Sequence, residues 1–170
     1  MKKLVITVFA LSLATFAQDM KENPIAAVAA AQYKSVAGNI TKAIDKFPVD
    51  KLGFKSVDGT MPVSEFIGHV SDANYFYCSV VTGGAKRESV HKETSKEKLA
   101  AAWKGAMEEC TKAWAMTTDK SLGAMVKMGS REVPAAQPLF LNSAHTWEHY
   151  GNLVTLLRMN GMVPPSSEGR

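Results

Sequence analysis

His145 and His149 stand four residues apart. On a helix that spacing sends both imidazoles off one face, one above the other, the way two rings are offered to a single metal ion. Leu141, Asn142, Leu153 and Leu156 continue the same stripe, so the pair is expected to face inward. Adjacent rings in an apolar interior are costly unless something organises them. A shared metal ion does so; core histidines bonded to other side chains are the alternative. Glu148 sits beside the second histidine, not the first, so His145-Thr-Trp-Glu148-His149 is not the HExxH motif of zinc proteases. His69 falls three residues after Phe66 and four before Ala73, within another apolar-periodic run. Of the four histidines in the chain, only His91 falls in a polar loop stretch. Three histidines on inward helix faces are what a metal site in a bundle core would produce. Three protein ligands with one position left for water or substrate is the layout of catalytic rather than closed structural centres. Neutral imidazoles suit a divalent transition metal such as Zn, Ni or Fe, or Cu. Asp72 and Glu148 are candidates to accept a ring N–H, or else simply solvated.

Four helices are needed to position these side chains. Residues 23 to 47 form the first: Asn23 can cap, Pro24 fits the first turn, and Val28, Val36, Ile40 and Ile44 keep helical spacing. Phe47-Pro48 ends it. The second runs from about 62 to 81 through Val63, Phe66, Ile67, Val70 and Tyr77, and stops at Gly83-Gly84. Residues 83 to 94 are polar and read as an exposed loop. Ser95 opens a third helix that passes Trp103, Met107, Cys110 and Trp114 to about residue 116. Short helical turns are expected around residues 122 to 128. The fourth helix runs from about 138 to 160, with Gly161 as its C-cap and Pro164-Pro165 just beyond. No stretch alternates convincingly at period two, so the fold class is all-α, a four-helix bundle. The methionines at 107, 116, 125 and 128 read as core filler.

Residues 1–17 have another reading. Met1-Lys2-Lys3 is a short basic start, residues 4–16 are nearly unbroken apolar sequence, and Thr15-Phe16-Ala17 places small residues at a cleavage site. That is the anatomy of a secretory signal peptide, leaving residues 18–170 as the mature domain. Export to the periplasm or medium of a bacterium follows, with no membrane span after cleavage. The whole chain has 20 basic and 16 acidic residues, and cleavage removes Lys2 and Lys3, so the mature charge is only +2. The basic residues are dispersed and no nucleic-acid-binding motif is present, which disfavours nucleic acid as a partner. A small-molecule ligand is expected, and a homodimer is compatible with the sequence.

Two segments resemble the DinB-like (damage-inducible) family: EFIGHVSDANYFYC at residues 65–78 and NSAHTWEHYGNLVTLLRMNGMVPPSS at residues 142–167. The resemblance spans essentially the whole mature chain. It implies a metal triad built from one histidine of helix two and an HxxxH pair of the last helix, here His69, His145 and His149. It also implies an up-down-down-up bundle in which helices two and three run parallel. In such a pair Cys78 and Cys110, each about fifteen residues into its helix, would lie level at 1.5 Å of rise per residue, so a disulfide between them is expected in an exported protein. Several family relatives are thiol-dependent transferases or isomerases. The resemblance therefore implies a metal-dependent thiol S-transferase, with hydrolysis as a variant. Export argues for the alternative, a non-catalytic metal- or ligand-binding protein of the cell envelope, because reduced thiol cofactors are cytoplasmic.

Overall fold

The computed structural model describes residues 21–169, so the expected signal peptide lies outside the described residues. Four long helices dominate: α1 (Pro24–Lys46), α2 (Val63–Thr82), α3 (Lys96–Ala115) and α4 (Ala136–Met159). Between α3 and α4 lies a small antiparallel hairpin, β1 (Met125–Met128) and β2 (Arg131–Pro134), with Met128 opposite Arg131. The protein is thus mostly helical, in line with the all-α expectation, and carries one small two-stranded sheet that was not expected. The helical turns expected at 122 to 128 shrink to a 3-10 turn at Ser121–Gly123, after which the chain is extended. The cause is local. The two-residue connection Gly129-Ser130 has Gly129 at φ 63°, the left-handed backbone that tight hairpin turns require. In the two strands only Val133 is buried, so no alternation of apolar residues announces them.

The helix ends follow their caps. Ser95 Oγ accepts the Lys98 N–H at 3.3 Å, and Gly83 closes α2 at φ 74°. The start of α1 differs from expectation. Asn23 does not cap with its own side chain. Asp119, arriving from beyond α3, accepts the N–H groups of Ile25 and Ala26 at 3.2 and 2.8 Å, and Asn23 Oδ1 accepts the Asp119 N–H at 3.1 Å. The exchange satisfies donors that a helix start leaves open and ties two distant segments together. Helix α4 begins at Ala136, two residues early, because Pro138 in the first turn has no intrahelical N–H bond to lose.

The core draws on all four helices. Ile40 and Ile44 of α1, Val63, Ile67 and Val70 of α2, Leu99 and Trp103 of α3, and Leu139, Leu153 and Leu157 of α4 are buried. Each contributes about 1.5–3 kcal/mol of transfer free energy. Met107 packs on this core, whereas Met116 and Met125 are exposed, which corrects their reading as filler. Contacts between α2 and α3 run in step: Arg87 bonds the carbonyls of both Ser71 and Ala102, and further along Cys78 meets Cys110. The cysteine Cα atoms are 4.9 Å apart with the sulfurs at bonding distance, as expected for a disulfide. Contacts between α2 and α4 run in opposition: His69 lies by His145, and Asn74 by Asn142. Among the described residues no helix is long and apolar enough to cross a membrane.

Candidate metal centre

Helix α2 presents His69, and α4 presents His145 and His149 one turn apart. A buried polar knot fixes the two helices against each other beside them. Asn74 Nδ2 donates to Thr146 Oγ1 at 3.0 Å, the Thr146 hydroxyl donates to the Asn142 carbonyl at 2.7 Å, and Asn142 Nδ2 donates to Asn74 Oδ1 at 3.2 Å. The same Asn142 amide lies 3.4 Å from both cysteine sulfurs. Asn74, Asn142 and Thr146 are completely buried, and their bonds to one another offset most of the cost of burying them; Asn142 Oδ1 has no partner among the described residues. Thr146 adjoins His145 in sequence, so the knot sets the height at which the histidines of α4 face His69.

The three rings turn their Nε2 atoms toward one point. The separation is 3.1 Å between His69 and His145 and 2.9 Å between His145 and His149, and all three ligand atoms lie within 4.8 Å of one another. His149 is buried; the other two are half-buried. The Phe66 ring stands 5.8 Å from His149 and the Tyr77 ring 6.3 Å from His145. Burial, then the neighbouring rings, pulls the His149 pKa down from about 6.5 to about 4. His145 is lowered by burial and by His69. His69 is lowered by burial and by His91, with Asp72, Glu148 and Glu65 opposing. At neutral pH all three rings are therefore uncharged, the state in which imidazole binds a metal.

Hydrogen bonding alone satisfies this arrangement poorly. Each ring nitrogen has one in-plane site, either a proton or a lone pair, yet His145 Nε2 faces two partners. A cation where three lone pairs meet would use every one of them. The cluster could hold a metal ion. That arrangement puts the protons on Nδ1. His149 Nδ1 lies 3.4 Å from the Asn152 side-chain amide, whose oxygen becomes the acceptor if the amide is turned. His145 Nδ1 is buried without a partner among the described residues, so none of them sets its tautomer by a hydrogen bond.

Neither carboxylate read as an acceptor for these rings takes that place. Glu148 is exposed and acts on His69 and His145 through its charge. Asp72 is committed to the connection after α2: it accepts the Ser89 hydroxyl at 2.5 Å and the Val90 N–H at 3.0 Å, and pairs with Arg87 at 3.5 Å. That connection, expected to be an exposed loop, is pinned to the helix. A side chain at Gly68 would collide with it, since a Cβ there would stand 2.4 Å from the Val90 carbonyl oxygen. Glycine is required for this approach.

The family model of the DinB superfamily matches residues 32–153. The chain belongs to the DinB superfamily. Solved DinB-like structures agree in fold. One from Bacillus cereus has 20% identity and a TM-score of 0.65, covering 76% of this chain and 89% of that one. One from Bacillus subtilis has 17% identity and a TM-score of 0.64, covering 84% and 99%. A mycothiol-dependent maleylpyruvate isomerase has 16% identity and a TM-score of 0.57, covering 78% of this chain and 65% of that one. No curated protein matches the sequence.

The pinned connection also brings in a residue that the sequence left in a loop. In this DinB-like chain the His91 ring lies 5.6 Å from that of His69, and His91 Nε2 is 2.9 Å from Glu65 Oε1. The available sequence signals were Gly68, a small residue in an otherwise bulky apolar run, and Asp72 one turn on, an acidic residue facing a basic, hydroxyl-rich loop.

Proposed function

We propose that this DinB-like protein holds a divalent transition metal (Zn, Ni or Fe) on His69, His145 and His149 and uses the remaining position for chemistry on a small molecule. The observation that supports this reading is the convergence of three uncharged Nε2 atoms that cannot all hydrogen-bond to one another. A metal there supplies Lewis acidity, lowering the pKa of a bound thiol or water. The chain's own residues do the rest. The Asn74–Thr146–Asn142 knot orients the ring planes, Phe66 and Tyr77 limit water, and Glu65 holds His91 at the His69 side. Thiol S-transfer is the first reaction class, because a solved protein of this fold is described as mycothiol-dependent; hydrolysis is its variant.

The second reading is a non-catalytic metal- or ligand-binding protein of the cell envelope. It is favoured by the signal-like residues 1–17 and by the cysteine pair, which suits an oxidising compartment. Both readings include export with removal of residues 1–17, and an up-down-down-up bundle with α2 and α3 parallel, the order that their in-step contacts support.

Metal analysis of protein purified without a histidine tag, alongside His69→Ala and His145→Ala, tests the site. The expected result is about one transition metal per chain, lost in both variants. No metal retained after incubation with Zn or Ni overturns it. Turnover lost with stability kept in His145→Ala supports the enzyme; stability lost alone supports the envelope protein.

A further inference from the structure

Helices α1 and α3 carry none of the three clustered histidines, and they leave a groove between them. A cavity of about 670 Å³ is lined by Ala37, Gly38 and Thr41 on one side and Met107 and Thr111 on the other. A second, of about 310 Å³, continues it past Lys34 and Trp114 toward Asn23 and Thr118. A Cβ on Gly38 would meet nothing within 4 Å, so the space is open at that level. Volumes of this size belong to small-molecule sites.

Two donors in the groove wall lack partners. The Tyr33 hydroxyl and the Trp114 indole N–H are buried and bond to nothing among the described residues. Their rings lie 6.5 Å apart. Burial pushes the Tyr33 pKa up, so the phenol keeps its proton, and an indole N–H can only donate. Both groups therefore lack the same thing, an acceptor. Charge points the same way. Lys34 stands where the two cavities join, exposed, with no carboxylate at ion-pair distance among the described residues, and Lys42 lies two turns along the rim.

We propose that this groove binds an amphiphilic carboxylic acid, its alkyl tail along Ala37, Gly38 and Met107 and its carboxylate at Tyr33, Trp114 and Lys34. Tyr33 and Trp114 line the cavity with their polar atoms buried, so a head group reaches them only when neighbouring side chains move, and Lys34 and Met107 on the same lining are flexible.

Dodecanoate is the probe and dodecanol its uncharged control, titrated into the isolated protein while the Trp114 indole N–H is followed by NMR. Saturable one-site binding with a shifted Trp114 signal is expected, at least tenfold tighter for dodecanoate than for dodecanol. Gly38→Leu fills the groove and should weaken binding at least tenfold. Tyr33→Phe, which keeps the ring, should weaken it several-fold and decides the matter if Gly38→Leu does not fold. Absence of saturable binding, or affinity unchanged in Tyr33→Phe, overturns the proposal. Equal affinity for dodecanol overturns the carboxylate assignment. Contacts from residues 4–16 filling the groove overturn it in favour of the chain's own apolar segment.

Discussion

The two seams of the bundle differ in how far their buried polar groups are bonded. Between α2 and α4, Asn74, Asn142 and Thr146 are completely buried and bonded to one another, with the cysteine pair against them, and of their side-chain polar atoms Asn142 Oδ1 alone lacks a partner among the described residues. Between α1 and α3, Tyr33 and Trp114 are buried with their polar atoms unmatched among the described residues, and an open groove lies alongside. A largely bonded network in a low-dielectric interior locks its elements into one register; a buried donor without an acceptor is a standing cost that a ligand can relieve. The seam that must hold three rings to a common point is the locked one. The seam left open carries no histidine of the cluster.

The sharpest way to break the locked seam is to remove its covalent tie. Replacing Cys78 and Cys110 together by Ser, which opens a link across 32 residues, should cost about 3–4 kcal/mol in urea unfolding. A loss below about 1 kcal/mol would show that the polar knot holds α2 by itself.

Acid should act next, through the cluster. The folded protein keeps His149 uncharged down to about pH 4, while the unfolded chain takes up that proton near 6.5. Between those values the unfolded state binds more protons, so stability is full above 6.5 and falls as the pH drops toward 4. For metal-free protein the loss is on the order of 2 kcal/mol, with His69 and His145 adding in the same direction. Equal urea midpoints at pH 7.5 and 5 would contradict the burial of these rings.

Thr146→Val keeps the shape and removes the hydroxyl that accepts from Asn74. A loss of about 1–2 kcal/mol is expected, together with weaker metal retention, because a buried amide donor is stranded beside the cluster. The matching change on the open seam should do almost nothing to the free protein: Tyr33→Phe removes a hydroxyl that has no partner among the described residues, so its melting curve should stay within about 0.5 kcal/mol of the parent, on the stabilising side. If Tyr33→Phe cost as much as Thr146→Val, the contrast between the seams would fail.

Much of this was legible because it is local. The helices announced themselves through 3.6-residue periodicity, and their ends through Ser95, Phe47-Pro48 and Gly83, since caps and breakers act within one turn. The four-residue spacing of His145 and His149 forced them onto one face. The hairpin was missed because strands of four residues with a single buried side chain carry no periodic signal. Local sequence points to Asn23 as the cap on α1, whereas the residue that supplies it, Asp119, is more than ninety positions away.

The sequence by itself determined the four long helices, their apolar faces and the shared face of His145 and His149, because those depend on backbone sterics and neighbours a few residues apart. Only the tertiary structure decided the rest. It gave Asp72 to the loop rather than to a histidine, set His91 beside His69 over the bare backbone of Gly68, and left Tyr33 and Trp114 without acceptors among the described residues, in an open groove. Each of these depends on how far apart two remote backbones come to rest, and that is settled when the whole core packs, not by any short stretch of chain.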